Sequence, residues 1–188
     1  MVANKESIYI SYQNYLSGEE VSPIRHEYIR GEVWAMAGGT QAHNTIAGNL
    51  FAMLRNQVRG TGCRAFVANM KVFIETADVY YYPDGTVTCD ERDRNASHSF
   101  IRYPSLVVEV LSEKTEAFDR GDKFADYRQI ETLQEYVLIS QNRQRVECFR
   151  RNAEGRWELY SYEQGEEIYL ASVDFSMPVA DVYEDVPV

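Results

Sequence analysis

The run Leu106-Val107-Val108-Glu109-Val110-Leu111, opened by Pro104 and closed by Ser112-Glu113-Lys114, constrains this chain more than any other segment. It is short, rich in β-branched residues and almost continuously apolar, without the alternation of a strand that keeps one wet face. It therefore reads as a strand covered on both sides, and the rest of the chain must supply the two covering layers. Glu109 stands in the middle of that run. Taking a carboxylate out of water is expensive unless it is paired, protonated or bound to a metal. Glu109 thus calls for a partner.

The flanking sequence supplies elements for those layers. Residues 6–18 give a short helix ended by Gly18, and "HEYIRGEVWAMAG" alternates around Arg30-Gly31 as a two-stranded ribbon. Thr40 can cap a helix running to about Arg59, with Ile46, Leu50, Met53, Leu54 and Val58 at helical spacing and Gly60 as its stop. "CRAFVANMKVFIET" and "VYYYPDGTVTCD" read as two strands joined through Ala77-Asp78, and a polar loop over 91–102 leads into the buried strand. A helix over 119–130 follows, then "QEYVLIS", "RVECFRR", "RWELYSY" and "EIYLAS" as strands. The order helix, three strands, helix, strand predicts an α/β fold with a mixed sheet. The last strands form an antiparallel meander, because their connections are too short for crossovers.

A second charge in an unexpected place is Asp84, in "VYYYPDGTV". Pro83 cannot donate to a sheet ladder, so it marks an edge, bend or bulge where a side chain is redirected. If the two strands are neighbours, Asp84 and Glu109 bring oxygen ligands together on one side of the sheet. Such a hard, anionic pair suits Mg²⁺ or Mn²⁺, and without a cation the two carboxylates repel.

Composition limits the alternatives. At 188 residues the chain fits one domain spanning 1–188, large enough to fold without a staple. With 29 acidic against 19 basic residues the net charge is -10, so any phosphate contact must come from a local basic patch. Cys63, Cys89 and Cys148 are odd in number and lack CxxC spacing, and no signal peptide or long apolar stretch is evident. These features lead us to expect reduced thiols, a cytoplasmic location and no membrane partner. His26 and His98 carry no zinc-like spacing.

"YPDG" followed by "VVEVLS", with Glu109 25 positions after Asp84, resembles the PD-(D/E)XK nuclease superfamily. "HEYIRGEVWAMAG", His43 opening a helix, "YYYPD", "PSLVVEVLS", "FDRGDKFADYR" and "LQEYVLIS" together resemble the Uma-type restriction endonuclease family, formerly a domain of unknown function. The likeness extends over residues 10–180. It implies a restriction-endonuclease-like core and a metal-dependent DNA endonuclease, with Asp84 and Glu109 as ligands of Mg²⁺ or Mn²⁺. It also implies that Lys123 orients water or stabilises charge, that Glu27 supports a ligand or water, and that His43 contacts phosphate. DNA is then the partner, and a homodimer is the default for cutting two strands, with the tyrosine-rich sheet offering a contact.

Two departures accompany the resemblance. The position two residues after Glu109, where the superfamily places lysine, is Leu111; Lys123 on the next helix is the matching residue, with Lys71 as competitor. Asp119 is expected to cap that helix, which places Lys123 in its first turn. Gly85 stands where a β-branched residue is usual, which loosens the local backbone. The plainer readings are a Glu109 satisfied structurally by Arg102, Lys71 or backbone donors, an Asp84 that only forms a turn, a solvated Lys123 and a capping His43. On those readings the chain is a catalytically inactive nuclease-fold protein serving as a binding or assembly module.

Overall fold

The computed structural model describes residues 9–36, 38–94 and 99–188; residues 6–8 of the first expected helix, Ala37 in the ribbon segment and His98 lie outside them. Helix α1 (Tyr12–Val21) begins at Ser11, whose hydroxyl accepts the Asn14 N–H, and continues past Gly18. The cap and the buried pair Tyr15 and Glu19, one turn apart, outweigh the glycine as a stop signal. Strands β1 (His26–Ile29) and β2 (Glu32–Ala35) form the expected hairpin, with Arg30 and Gly31 both at positive φ as a two-residue turn demands. Helix α2 (Gln41–Gln57) is capped by Thr40, which accepts the His43 N–H at 3.1 Å. It buries Ile46, Ala47, Leu50 and Leu54 along one stripe.

The two long strands expected next are each broken in two. They become β3 (Arg64–Val67), β4 (Lys71–Ile74), β5 (Val79–Tyr81) and β6 (Gly85–Thr88). The breaks face each other: the Ala68 N–H donates to the Asp84 carbonyl at 3.2 Å, Ala68 adopts φ 46°, and Pro83 stands beside Asp84. The long hairpin bends there, so β4 and β5 enter one sheet while β3 and β6 enter another.

After them come β7 (Phe100–Ile101), the buried strand β8 (Pro104–Leu111), α3 (Glu116–Arg120), α4 (Asp122–Tyr127), β9 (Glu135–Ser140), β10 (Arg145–Arg151) and β11 (Trp157–Glu163). The chain closes with the ribbon β12 (Glu167–Leu170) and β13 (Phe175–Pro178) and the short α5 (Val179–Val182). The first sheet has the order β2-β1-β5-β4-β7 and the second β11-β10-β9-β8-β6-β3. The β8–β9 pair is parallel, bridged by α3 and α4, and β9 to β11 form the antiparallel meander.

All eight residues of β8 are buried. Leu106, Val108 and Val110 pack with α2 and the C-terminal ribbon, while Val107 and Leu111 pack with Val72, Tyr81, Tyr127 and Tyr136 from the first sheet, α4 and β9. Both covering layers are therefore present. Tyr80, Tyr81 and Tyr82 are core residues, at most 2 % exposed, so the tyrosine cluster cannot serve as a docking surface. The expectation of reduced thiols is overturned for two cysteines: Cys63 and Cys89 are joined as a disulfide, with Cα atoms 4.0 Å apart. The pairing of Arg64 with Thr88 sets their neighbours opposite one another, a proximity hidden by a separation of 26 residues. Cys148 is a free, buried thiol. Among the described residues no helix is long and apolar enough to cross a membrane.

Candidate active site

Asp84 sits at the corner where the bent hairpin passes from one sheet to the other. Gly85 pairs with Val108 and Thr86 with Val107, so extending the register by one residue sets Asp84 opposite Glu109. Directly opposed residues of antiparallel strands project to the same side. Asp84 Oδ2 accepts the Val110 N–H at 2.8 Å, and Oδ1 lies 2.8 Å from His43 Nε2. The Thr40 cap thus starts α2 where its first turn meets the corner.

Glu109 faces α4. Lys123 Nζ lies 2.9 Å from Glu109 Oε1, 3.2 Å from Glu27 Oε1 and 3.5 Å from Asp119 Oδ1. The Tyr127 hydroxyl points to Glu109 Oε1 at 3.4 Å, and Glu27 also accepts the Tyr82 N–H. The Lys123 ammonium stands 5.3 Å from the centre of the Tyr81 ring. Glu109 and Lys123 are almost entirely enclosed, whereas the Asp84 and His43 side chains keep 18 % and 20 % of their surface in contact with solvent. The site therefore runs from a half-open rim at Asp84 and His43 to a dry interior at Lys123.

Electrostatics follow from that gradient. Burial holds the Glu109 carboxyl well above the usual carboxylate range; Lys123 pulls against it, and the charges of Asp119, Asp84 and Glu27 reinforce it. Burial alone would lower Lys123, but Glu109, Glu27, Tyr127 and Asp119 outweigh it and keep the ammonium protonated far above its ordinary value. His43 is raised by its hydrogen bond to Asp84, against the effect of burial.

Each candidate site residue lies among the described residues. Asp84, Glu109, Lys123, Glu27 and His43 converge on one locality. Lys71 does not: it is buried beside Tyr82, with Nζ 3.2 Å from the phenol oxygen, in the cluster around Glu19. Arg102 pairs with Glu75 on the surface. Asp119 is not a cap but belongs to α3, and the expected single helix over 119–130 is divided at Gly121. Asp119 and Tyr127, absent from the candidate set, flank Lys123 at spacings of four residues, a stripe that "DRGDKFADY" does display.

Among the described residues no group of three or more His, Cys, Asp or Glu side chains forms a ready-made metal cage. The donor chemistry nevertheless fits a hard divalent cation. Asp84, just before β6, accepts the N–H of Val110 next to Glu109 on β8, and the locality holds four carboxylates against one ammonium and one imidazole. Asp84 and Glu109 would hold such an ion.

Comparison with known proteins bears on the fold and the family. A solved structure described as a "putative nuclease belonging to DUF820" from Anabaena variabilis ATCC 29413 superposes with a TM-score of 0.77 at 17 % identity, covering 95 % of this chain and 99 % of that one. This chain thus shares the mixed α/β fold of that protein. Two Synechocystis sp. (strain ATCC 27184 / PCC 6803 / Kazusa) proteins of uncharacterised function are similar in sequence. One, slr1290, is 37 % identical over 93 % of this chain and 91 % of its own length. The other, sll1609, is 36 % identical over 77 % and 82 %. A family model described as "Uma2: Putative restriction endonuclease" matches residues 12–180, and the chain belongs to the Uma2 family.

Proposed function

We propose that this chain, acting as one domain, is a divalent-metal-dependent endonuclease that hydrolyses DNA phosphodiester bonds. The observation that supports the reading is the Asp84 carboxylate just before β6, accepting the N–H of Val110 beside Glu109 at 2.8 Å, with Lys123 Nζ 2.9 Å from Glu109. Mg²⁺ or Mn²⁺, when bound by Asp84 and Glu109, supplies Lewis-acid polarisation of phosphate and a lowered water pKa.

The protein's own groups do the rest. Lys123, kept charged by its carboxylate neighbours, stabilises negative charge that develops on the phosphate or orients the attacking water. Glu27 and Asp119 fix the ammonium in place. His43, at the rim and hydrogen-bonded to Asp84, meets an incoming phosphate oxygen as a donor. Cutting both strands calls for a two-fold homodimer.

The test is nicking of supercoiled plasmid with Mg²⁺, Mn²⁺ or excess EDTA, comparing the natural chain with Asp84→Asn, Glu109→Gln and Lys123→Met. Cutting should require the cation and vanish in the two carboxylate variants. Lys123→Met should lower it by about 10²- to 10³-fold. Absence of metal-dependent cutting, or cutting undiminished in Asp84→Asn and Glu109→Gln, sinks the proposal and leaves a binding or assembly role on this scaffold.

A further inference from the structure

In a chain of net charge -10, seven of the fifteen arginines pair with a carboxylate among the described residues: Arg30, Arg92, Arg94, Arg102, Arg120, Arg145 and Arg150. Of the other eight, three stand together. Arg55, in the last turn of α2, Arg59, just beyond its end, and Arg64, at the start of β3, are exposed and line one open cleft of about 480 Å³ with Arg94, Cys63 and Phe66. Among the described residues no carboxylate forms an ion pair with Arg55, Arg59 or Arg64; the Arg64 guanidinium instead donates to the Arg94 carbonyl at 3.4 Å. A basic residue in the last turn of α2 complements the helix dipole, which accounts for Arg55 but not for Arg64 arriving from a strand.

The cleft is also built firmly. Gly60 and Gly62, both at positive φ, carry the chain from α2 back to β3, bringing Arg59 and Arg64 to the same opening. The Cys63–Cys89 disulfide ties the residue before β3 to the residue after β6. The Arg94 guanidinium is held by the Gly62 carbonyl and by Glu91. Convergent guanidiniums without internal counterions suit phosphate oxygens, which they meet in a planar, two-pronged fashion.

We infer that the Arg55, Arg59 and Arg64 cleft is a docking site for the phosphodiester backbone of DNA, distinct from the site of cleavage and holding the same molecule. This inference rests on the proposed function for its choice of ligand. α2 and the β3–β6 pair carry both places: His43 and Arg55 lie about 18 Å apart along the helix, and Arg64 lies about 13 Å along its strand from the Asp84 corner. With one phosphate per strand every 3.4 Å or so of duplex axis, that span corresponds to roughly four to five phosphates from the bond that is cut. The cleft thereby provides the local attraction that the acidic chain as a whole lacks.

The test is binding of a fluorescent DNA duplex in EDTA, where no cutting occurs, at about 50 to 200 mM salt. Arg55→Gln/Arg59→Gln/Arg64→Gln is compared with Arg143→Gln/Arg151→Gln/Arg156→Gln, which makes the same charge change elsewhere. The first set should flatten the slope of log affinity against log salt by about 3 and weaken binding at least about tenfold. The second should change the slope by less than about 1. Equal losses in both sets, an unchanged slope in the first, or no binding by the natural chain overturns the inference. Urea unfolding checks that each variant folds, and Arg59→Gln and Arg64→Gln alone carry the test if the triple variant does not. Arginine-dependent binding without any metal-dependent cutting rejects the nuclease proposal and keeps the docking site; cutting with unaltered binding does the reverse.

Discussion

Lys123 Nζ lies 2.9 Å from Glu109 Oε1, and neither side chain reaches solvent to any useful extent. The lysine comes from α4, the second helix after the strand, while the strand itself carries Leu111 two residues after Glu109. Removing one member of a buried pair strands the other's charge. Lys123→Ala should therefore lower the unfolding free energy by about 3–5 kcal/mol. The Lys123→Ala/Glu109→Gln double variant should lose clearly less than the sum of the two single losses. Urea unfolding of the four proteins measures this coupling, and strict additivity would show that the contact carries no energy.

Two glycines beside the site should respond in opposite ways to alanine. A Cβ on Gly85 would lie 3.5 Å from Val108 Cβ, an ordinary contact, and Gly85 is not at positive φ. Gly85→Ala should stabilise by about 0.4–1 kcal/mol through the unfolded chain, with cutting retained. A Cβ on Gly121 would lie 3.0 Å from the Ala117 carbonyl oxygen, at the joint between α3 and α4. Gly121→Ala should destabilise by about 1 kcal/mol or more and slow cutting by shifting Lys123. Thermal unfolding and plasmid nicking read both outcomes.

What could be read from the sequence was what neighbouring residues decide. The Thr40 cap and apolar stripe of α2, and the unbroken apolar run of β8, are local patterns, and both elements stand as expected. Asp84 and Glu109 were legible because each charge conflicts with its own surroundings. Division of the long strands between two sheets was not legible, because it depends on Ala68 and Asp84 meeting across the hairpin. The same holds for the disulfide, which needs the β3–β6 register, and for Asp119, whose role changes once Gly121 interrupts the helix. β13 and α5 take their form by packing on α2, through Asn49 and the Val182 carbonyl among other contacts.

The disulfide closes a loop of 26 residues, and on a chain-entropy account such a crosslink contributes about 3–4 kcal/mol by restricting the unfolded state. Cys63→Ser/Cys89→Ser should lower the unfolding free energy by about that amount without reductant. Adding reductant should bring the natural chain down to meet it. Equal stability of the two proteins under oxidising conditions would show that the bond does not form in solution.

The interior tyrosines set the alkaline limit of the fold. Burial is the leading cause that raises Tyr15, Tyr28, Tyr80, Tyr81, Tyr82, Tyr127 and Tyr136 above their ordinary value, and it pushes Tyr183 up to about 12. In the unfolded chain a tyrosine loses its proton near pH 10, roughly. Above that pH the unfolded state binds fewer protons than the folded state, so the unfolding free energy must fall as pH rises. Lys123, also raised, acts in the same direction; Lys71, lowered by burial, opposes it as a single group. Stability should be fully present below about pH 9.5 and drop steeply from about pH 10 to 12. Urea midpoints across that window, followed with the ultraviolet absorbance of tyrosinate, check it. A midpoint that stays level while tyrosinate appears in the folded protein would mean that these phenols are not sealed in the core.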